Sequence, residues 1–543
     1  MTQENRKTVL KRLIGSGFQI APDALDYIMG LETPLLVVDT IIAGCKSGSC
    51  PPVLSLDYVM EQLLADSAEE SDIQEILGEE TIEEKPVSFV DETPEPIGGW
   101  VFEVIKNPSK EDVGSEGIVE DFLALFKDRY RRINAIYMSR IDTQGAITPS
   151  AAGTRRSDAR RVRAMDKEGK RSRRPPSQKV IGMVKNKNIS RSRNVIVELE
   201  DLEGSIISVI PAGREGLAGQ QLSEKANSIL QDEVVCLSGF IDEDGRMIAD
   251  DVIFPDIPTA RQAGRARSDV YAVFVSDLHC GSLEFLEDEF DRFIDWMRGR
   301  DCDSSEKRMV DRIKYLFIAG DLIDGIGVYP GQLEDLAIPS LYDQYAKLAK
   351  KLRKLPERIK LICIPGNHDA CRQALPKPPI SEDFAKSLYD LGDQILMAGD
   401  PCHLRVEGVD ILLTHGDSLD DMVTNSPGAS YKEPAVPMKS LLQKRHLAPI
   451  YGGKTELAPL HRDWMVIDIP PDIIHFGHAH HNAVDNYRGV QIINSGTFQS
   501  QTEFMRKQGV VPTPGIVTIL NLRTGAPELK MFYDLSQLAT GTY

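Results

Sequence analysis

Five short clusters in the C-terminal half of the chain contain side chains that can bind metal ions. They are VFVSDLH at 273–279, LFIAGDLIDG at 316–325, LICIPGNHD at 361–369, ILLTHGD at 411–417 and IIHFGHAHH at 473–481. All ten histidines of the chain lie at or beyond His279. Because imidazole nitrogens and carboxylate oxygens are common ligands of divalent cations, chemistry that needs imidazole is confined to this half.

Two of the clusters repeat one spacing of potential ligands. On an extended strand end, Asp277 and His279 project to the same side and can chelate one cation together. The same holds for His478 and His480, where Gly477 permits a close backbone approach. The full set of predicted ligands, enough for two cations if one carboxylate bridges them, is Asp277, His279, Asp321, Asn367, His415, His478 and His480.

Each cluster follows or ends an apolar run, which predicts a buried β-strand that ends in ligand side chains. A sheet fixes the backbone, and the loop after each strand turns its oxygens and nitrogens toward one point. Short strands alternate with helical stretches from residue 270 onward. We therefore predict a layered α/β domain over 268–543 with its site at the strand ends.

The clusters resemble the signature of the calcineurin-like metallophosphoesterases: D-x-H, G-D, G-N-H-D, a later H, and G-H-x-H. The resemblance covers about residues 270–505. It implies one cation held by Asp277, His279, Asp321 and His480, and a second held by Asp321, Asn367, His415 and His478. Two divalent cations are thus the expected cofactors, manganese by resemblance, although a ligand set without thiolate also admits magnesium, iron and zinc.

His368 remains free of metal in this assignment and is the predicted general acid. It lies beside Asn367, so its imidazole can reach the oxygen that leaves the phosphorus. Asp369 is predicted to orient that imidazole. Two cations about 3.5–4 Å apart clamp a phosphodiester and lower the pKa of a bound water from about 15.7 toward about 7. The expected reaction is phosphodiester hydrolysis.

The rest of the chain predicts several further domains, since 543 residues exceed one compact core. We expect a small helical N-terminal module at 1–66, an acidic linker at 67–98, a short ordered element at 99–140 and a basic flexible tether at 141–179. Five strands with one helix after the third predict an OB-fold β-barrel at 180–260. The helical module could dock a partner; the tether and the barrel could contact nucleic acid or serve structure alone.

Composition restricts the function further. The net charge of −19 argues against nucleic-acid binding over the whole surface. No apolar run approaches the length of about 20 residues that spans a bilayer, so we expect no membrane association. The scattered cysteines indicate a reducing, cytoplasmic environment.

The domain order also resembles the small subunits of archaeal D-family DNA polymerases, over essentially the full chain. The stretches DGIGVYPGQ at 324–332 and PGNHDACRQALPKPP at 365–379 strengthen that resemblance. It implies a 3′–5′ exonuclease that proofreads, a large catalytic subunit as partner, DNA 3′ ends as substrate and a sliding clamp as a further candidate partner. Two alternatives stay open: a free-standing phosphoesterase and a non-catalytic polymerase scaffold.

Overall fold

The computed structural model describes residues 99–154, 177–211, 216–507 and 509–534, together with residues 9, 12, 19–20, 22–29, 38 and 53–54. Two compact units result, Met1–Thr93 and Pro94–Tyr543. The described part of the first contains strand β1 (Gln19–Ile20), helix α1 (Pro22–Met29) and strand β2 (Val53–Leu54), with β1 and β2 parallel. Residues 55–66 of the predicted helical module and the whole acidic linker at 67–98 lie outside the described residues. The helical module stays a prediction.

The second unit contains the remaining helices and strands. In chain order they are β3 (Phe102–Lys106), α2 (Val119–Met138), α3 (Pro149–Thr154), β4 (Gln178–Ile189), β5 (Val195–Glu200), β6 (Ser205–Ile210), α4 (Leu217–Asn227), β7 (Val234–Ile241), β8 (Met247–Ile253), β9 (Tyr271–Val275), α5 (Glu287–Met297), α6 (Ser304–Val310), β10 (Ile313–Ala319), α7 (Leu341–Leu352), β11 (Lys360–Ile364), α8 (Glu382–Tyr389), β12 (Ile395–Met397), β13 (Cys402–Val406), β14 (Val409–Leu413), α9 (Leu419–Asn425), α10 (Ala435–Lys444), β15 (Ile473–Phe476), β16 (Ala483–Tyr487), β17 (Val490–Asn494), α11 (Glu503–Lys507), β18 (Ile516–Asn521) and β19 (Pro527–Met531). Short 3-10 helices lie at Ile141–Thr143, Gln332–Asp335 and Gly392–Gln394.

Strands β4 to β8 form a closed five-stranded barrel in the order β4-β5-β6-β8-β7. Alternate residues of each strand point into the barrel core. In β5, Val195, Val197 and Leu199 are buried, whereas the residues between them are partly exposed. Helix α4 lies between β6 and β7 in the chain and contributes Leu222 to the same core. The structure thus has a barrel where 180–260 predicted one, while its assignment as an OB-fold stays a prediction.

The C-terminal region is a four-layer α/β domain built on two mixed sheets. The first sheet has the order β12-β11-β10-β9-β18-β19, and the second has the order β16-β17-β15-β14-β13-β3. Their facing sides share one core that includes Phe274 and Phe317 from the first sheet and Ile411 from the second. Helices α5 and α7 cover the outer face of the first sheet, and α10 covers that of the second.

Two predicted boundaries differ from the structure. Strand β3 is the edge strand of the second sheet, paired antiparallel with β13; the element predicted at 99–140 therefore contributes to the α/β domain. The predicted tether at 141–179 begins later than 141, because α3 packs on the barrel, with Ser150 donating to Asp201 at 2.6 Å. Residues 155–176, the basic part of that tether, lie outside the described residues.

No helix in the described part of the chain is long and apolar enough to cross a membrane.

Candidate metal centre

The predicted ligands lie at one edge of the two packed sheets. Asp277, Asp321 and Asn367 follow β9, β10 and β11, which are parallel neighbours in the first sheet. His415 and His478 follow β14 and β15, which are parallel neighbours in the second. Parallel strands bring their carboxyl ends to a common edge, and loops there gather side chains from distant parts of the chain.

A first group of four side chains has ligand atoms within 4.8 Å of one another: Asp277, His279, Asp321 and His480. His480 Nε2 lies 3.1 Å from His279 Nε2 and 3.3 Å from Asp277 Oδ1. Asp321 Oδ2 lies 3.6 Å from His279 Nε2. All four residues are buried. These are the residues that the sequence predicted for the first cation.

The chemistry of this group fits a divalent cation. Nδ1 of His279 lies 2.9 Å from Asp324 Oδ1, and a carboxylate can only accept. The proton of the neutral imidazole is therefore on Nδ1, and the lone pair of Nε2 points at His480 and at the carboxylates. Lone pairs that converge in a buried space need a positive charge between them. A divalent cation at this position would supply it.

A second group surrounds Asn367. Its Oδ1 lies 2.9 Å from His415 Nε2 and 3.1 Å from His478 Nδ1. Nδ1 of His415 donates to the main-chain oxygen of Ala319 at 2.8 Å, which leaves Nε2 as the potential ligand atom. Asp321 Oδ2 is 3.4 Å from His415 Nε2. Asp321 therefore contacts both groups, as a bridging carboxylate must.

The charges of the centre are strongly coupled. Burial alone would lower the pKa of His415, but the nearby Asp321 carboxylate raises it to about 10. Burial would raise the pKa of Asp321, yet the neighbouring histidines, His415 foremost, hold it well below its usual value. Burial likewise opposes the lowered pKa of Asp277, which His480 stabilises as the carboxylate. The two buried carboxylates thus keep their negative charge.

The loops that present the ligands are not extended, which corrects the strand-end geometry expected from the sequence. Left-handed backbone angles occur at five predicted ligands, with φ of 52° at Asp277, 49° at His279, 50° at Asp321, 64° at His478 and 53° at His480. Such angles are uncommon outside glycine and cluster at functional sites. Main-chain hydrogen bonds help to hold them, among them Asp277 N to Gly320 O at 3.0 Å and His279 N to Asp321 O at 3.1 Å.

Two glycines allow the close packing of these loops. A Cβ atom on Gly366 would lie 2.1 Å from Asp321 Oδ1, and one on Gly477 would lie 2.4 Å from Asp277 Oδ2. Both distances are shorter than any van der Waals contact, so a side chain at either position would displace a predicted ligand. The close approach expected at Gly477 is present.

His368 lies beside the two groups. Its ring is 4.6 Å from that of His279 between centroids, and its backbone N–H donates to Asp321 Oδ1 at 2.8 Å. Nδ1 donates to the main-chain oxygen of Asp324 at 2.8 Å, so Nε2 is the nitrogen left for a substrate. Burial lowers the pKa of His368.

Asp369 does not make the contact predicted for it. Its carboxylate accepts from Tyr345 OH at 3.0 Å, Gly366 N at 2.9 Å and Leu322 N at 3.2 Å. The ring of His368 is held by Asp324 instead. Asp369 therefore fixes the loops that carry Asp321 and Asn367 rather than the imidazole.

Sequence reasoning missed three carboxylates near the ligands. Asp324 binds His279, Asp420 Oδ1 lies 2.9 Å from His478 Nε2, and Asp417 forms a potential metal group with His415 and His478. Asp324 and Asp417 stand inside the clusters LFIAGDLIDG and ILLTHGD, so strand-end position could have identified them. Asp420 lies in α9 and carries no such signal.

A cleft of about 550 Å³ opens beside the centre. His279, Asp321, Asn367, His368 and His478 line one part of it. Ligand and substrate sites in proteins commonly have volumes of about 300–1,000 Å³. The cleft is therefore large enough for a small ligand beside His368 and the potential metal ligands.

Comparison with known proteins gives close relatives over most of the chain. A DNA polymerase II small subunit from Archaeoglobus fulgidus is 39% identical over 77% of this chain and 78% of its own length. The one from Halobacterium salinarum is 31% identical over 96% of this chain and 98% of its own. The chain belongs to the family of DNA polymerase II small subunits. This confirms the polymerase small-subunit resemblance drawn from the sequence.

Coverage of the family varies among its members. The relative from Methanocaldococcus jannaschii is 39% identical over 75% of this chain, which spans 64% of that protein's length. A family model for the B-type subunits of DNA polymerases alpha and epsilon matches residues 272–484. The matched segment contains all seven predicted ligands of this small-subunit chain.

Solved structures give a weaker likeness. An archaeal phosphodiesterase is 12% identical with a TM-score of 0.25, covering 48% of this chain and 99% of its own. A phosphoesterase from E. coli is 14% identical with a TM-score of 0.23, covering 49% and 100%. TM-scores this low do not establish a shared fold.

Proposed function

We propose that this chain is the exonuclease subunit of a heteromeric archaeal replicative DNA polymerase and removes 3′ nucleotides by two-metal phosphodiester hydrolysis. One observation carries the proposal: Asp321 lies 3.6 Å from His279 and 3.4 Å from His415. It thereby joins two groups of potential ligands next to His368. Two metal ions held this way would be close enough to act on one phosphate.

Each side chain has a role in this proposal. One cation is assigned to Asp277, His279, Asp321 and His480, and the other to Asp321, Asn367, His415 and His478. The cations would supply Lewis-acid activation of the phosphate and of a water molecule. In its imidazolium form, His368 donates a proton from Nε2 to the departing 3′ oxygen. Asp369 positions the loops around Asp321.

The donor atoms set the range of metals. All are carboxylate oxygens, an amide oxygen or imidazole nitrogens, a set that suits manganese as well as magnesium, iron and zinc. We favour manganese. Asp324 and Asp420 hydrogen-bond to His279 and His478 and would orient these imidazoles, as carboxylates do around metal-bound histidine.

The proposed partners follow from the family. A large catalytic subunit supplies polymerisation, and the cytoplasmic complex acts on DNA with a single-stranded or mismatched 3′ end. The barrel and the α/β domain offer the surfaces for that assembly, and a sliding clamp is a further candidate partner. Membrane binding has no place in this proposal.

The test uses a primer with a 3′ mismatch, manganese, and the chain alone or with its large subunit. We expect release of nucleoside 5′-monophosphates from the 3′ end. His368→Gln should lower kcat by about 10²- to 10⁴-fold, the usual contribution of general acid catalysis. Manganese binding, measured by calorimetry, should persist in this variant because His368 is not a ligand.

His461→Gln is the matched control. The His461 side chain is 81% exposed and lies outside the metal centre, so its substitution should leave kcat unchanged. If the chain cleaves phosphomonoesters but leaves DNA intact, a free-standing phosphoesterase is favoured. Absence of bound metal by elemental analysis would favour a scaffold. Either result overturns the proposal.

A further inference from the structure

The cleft beside the metal centre has an apolar and aromatic part that the metal chemistry does not use. Val328, Tyr329, Tyr431, Met505 and Val510 line it. Among the described residues that line this cleft, none is lysine or arginine. A nucleic-acid strand held here would therefore gain little from phosphate contacts to basic side chains, which usually dominate such binding. Aromatic stacking is the remaining sequence-tolerant source of affinity.

The two tyrosines are anchored by their hydroxyl groups. Tyr431 donates to Asp420 Oδ1 at 2.7 Å, and Tyr329 donates to Asp335 Oδ2 at 2.9 Å. Each hydroxyl has one proton to donate, and in both tyrosines that proton is already hydrogen-bonded to a carboxylate oxygen. The hydroxyls are therefore already engaged, and the half-buried rings line the cleft. Stacking on an aromatic ring tolerates any base, because every base has a π face.

The tyrosines occupy different parts of the cleft. The ring of Tyr329 lies 6.5 Å from that of His368 between centroids. Tyr431 lies on the side of His478, because Asp420 Oδ1 accepts from Tyr431 and also lies 2.9 Å from His478 Nε2. One ring is thus adjacent to the proposed general acid and the other to the second metal group.

The proposed reaction assigns a nucleotide to each part. A water oxygen forms a bond to the phosphorus and releases a proton to the solvent, the bond from phosphorus to O3′ breaks, and the imidazolium form of His368 gives its Nε2 proton to that O3′. The O3′ belongs to the penultimate nucleotide, which must therefore lie near His368 and Tyr329. The terminal nucleotide keeps the phosphate, leaves as a 5′-monophosphate and extends toward Tyr431.

We propose that Tyr329 and Tyr431 form a stacking subsite for two unpaired bases, the penultimate base on Tyr329 and the terminal base on Tyr431. The inference rests on the proposed exonuclease function. The volume of about 550 Å³ falls in the range of pockets that enclose small ligands. Bases enter only after they unpair, so the subsite selects frayed or mismatched ends without reading their sequence.

The experiment compares single-stranded oligonucleotides that differ by one base. A tetrahydrofuran residue replaces either the terminal or the penultimate nucleoside, and kcat/KM for the first cleavage is measured with manganese. In the wild-type holoenzyme each missing base should lower kcat/KM by about 5- to 150-fold, the range of base stacking on aromatic side chains. Tyr431→Leu should abolish the penalty at the terminal position only, and Tyr329→Leu the penalty at the penultimate position only.

The phenylalanine variants are matched controls. Tyr431→Phe and Tyr329→Phe keep the ring, so both should retain the wild-type penalty for a missing base. Because each penalty is a ratio within one protein, a general loss of metal affinity cancels. A leucine variant that slows all substrates equally, with its penalty intact, overturns the subsite.

The wild-type comparison tests the stacking subsite separately from the proposed exonuclease function. Equal cleavage of base-bearing and abasic ends refutes the subsite and leaves the exonuclease proposal standing. No cleavage of any DNA end, with manganese and the large subunit present, refutes both. The wild-type result also stands if a leucine variant fails to fold.

Discussion

Two buried clusters of aspartate and histidine in this chain balance their charge in different ways. Asp463 Oδ2 lies 2.6 Å from Arg129 Nε and 2.9 Å from His446 Nε2, so a permanent guanidinium charge neutralises it. In the described part of the chain, the ion-pair partners of Asp277 and Asp321 are histidines alone. Both clusters are buried and both contain imidazole. What distinguishes Asp277 and Asp321 is that, among the described residues, neither forms an ion pair with a lysine or an arginine.

The comparison is sharpest for the bridging carboxylate. Asp321→Asn should lower exonuclease activity by at least about 10³-fold, because the metal ions supply several kcal/mol of transition-state stabilisation. In the presence of a chelator its unfolding temperature should also fall, because the neighbouring histidines, His415 foremost, hold the pKa of Asp321 well below its usual value and so stabilise its carboxylate in the folded state. Exonuclease rates and thermal unfolding measure the two effects. An active Asp321→Asn protein would remove the basis of the two-metal proposal.

Substitution in the charge-balanced cluster should lower stability without lowering activity. Asp463→Asn leaves Arg129 buried without its carboxylate and should cost about 3–5 kcal/mol of stability. The exonuclease activity per folded molecule should not change. Chemical denaturation measures the first and active-site titration the second. Asp468→Asn, which removes a partner of the more exposed Arg132, is the matched control and should cost about 0–1 kcal/mol.

The stabilisation caused by manganese distinguishes the two clusters without an activity assay. Manganese at about 100 times its dissociation constant should stabilise the wild type by about 2.7 kcal/mol against the metal-free protein. Asp463→Asn should show the same increment on its lower baseline, and Asp321→Asn a much smaller one. Differential scanning calorimetry with and without chelator measures it. Equal increments in all three proteins would place the ion elsewhere.

A pH titration of stability reports on the charge-balanced cluster. Burial lowers the pKa of His446 from 6.5 to about 4, against the opposing effect of Asp463. In the unfolded chain His446 therefore binds a proton below about pH 6.5, whereas in the folded chain it does so only below about pH 4. The free energy of unfolding should therefore decrease as the pH is lowered from about 6.5 to about 4, by up to about 1.4 kcal/mol per pH unit for this one group.

His446→Gln should reduce the slope of unfolding free energy against pH by up to about 1.4 kcal/mol per pH unit, the contribution of one proton. The measurement is the free energy of unfolding between pH 4 and 6.5, in chelator so that the metal centre contributes equally to both proteins. An unchanged slope would show that His446 takes up its proton in the folded state as easily as in the unfolded one.

Local patterns predicted the parts of this fold that depend on neighbouring residues. Alternation in 195–200 predicted a barrel strand, and the apolar runs before Asp277 and Asp321 predicted the strands that carry them. The pairing of β3 with β13 and the contact of Arg129 with Asp463, 334 residues apart, have no local signature. Residues 99–140 were therefore predicted as a separate element.

The candidate site divides in the same way. Position after a strand selected the seven predicted ligands and His368, which the structure brings together; their roles stay predictions. It could not show that Asp369 binds the backbone, that Asp324 holds both His279 and His368, or that Asp420 contacts His478. Those roles depend on side-chain directions in loops with left-handed backbone angles, which an extended-strand argument does not anticipate.

By itself the sequence determined which side chains are available and at which strand ends they stand, because strand periodicity and the apolar run before each cluster are local properties. Only the tertiary structure decided which carboxylates share a buried space, which of them meet an arginine, and where tyrosine rings line the cleft. The physical reason is that charge balance and cavity shape arise from segments hundreds of residues apart, brought together by the packing of two sheets. The same residue types therefore form a stabilising ion pair in one place and a candidate metal centre in another.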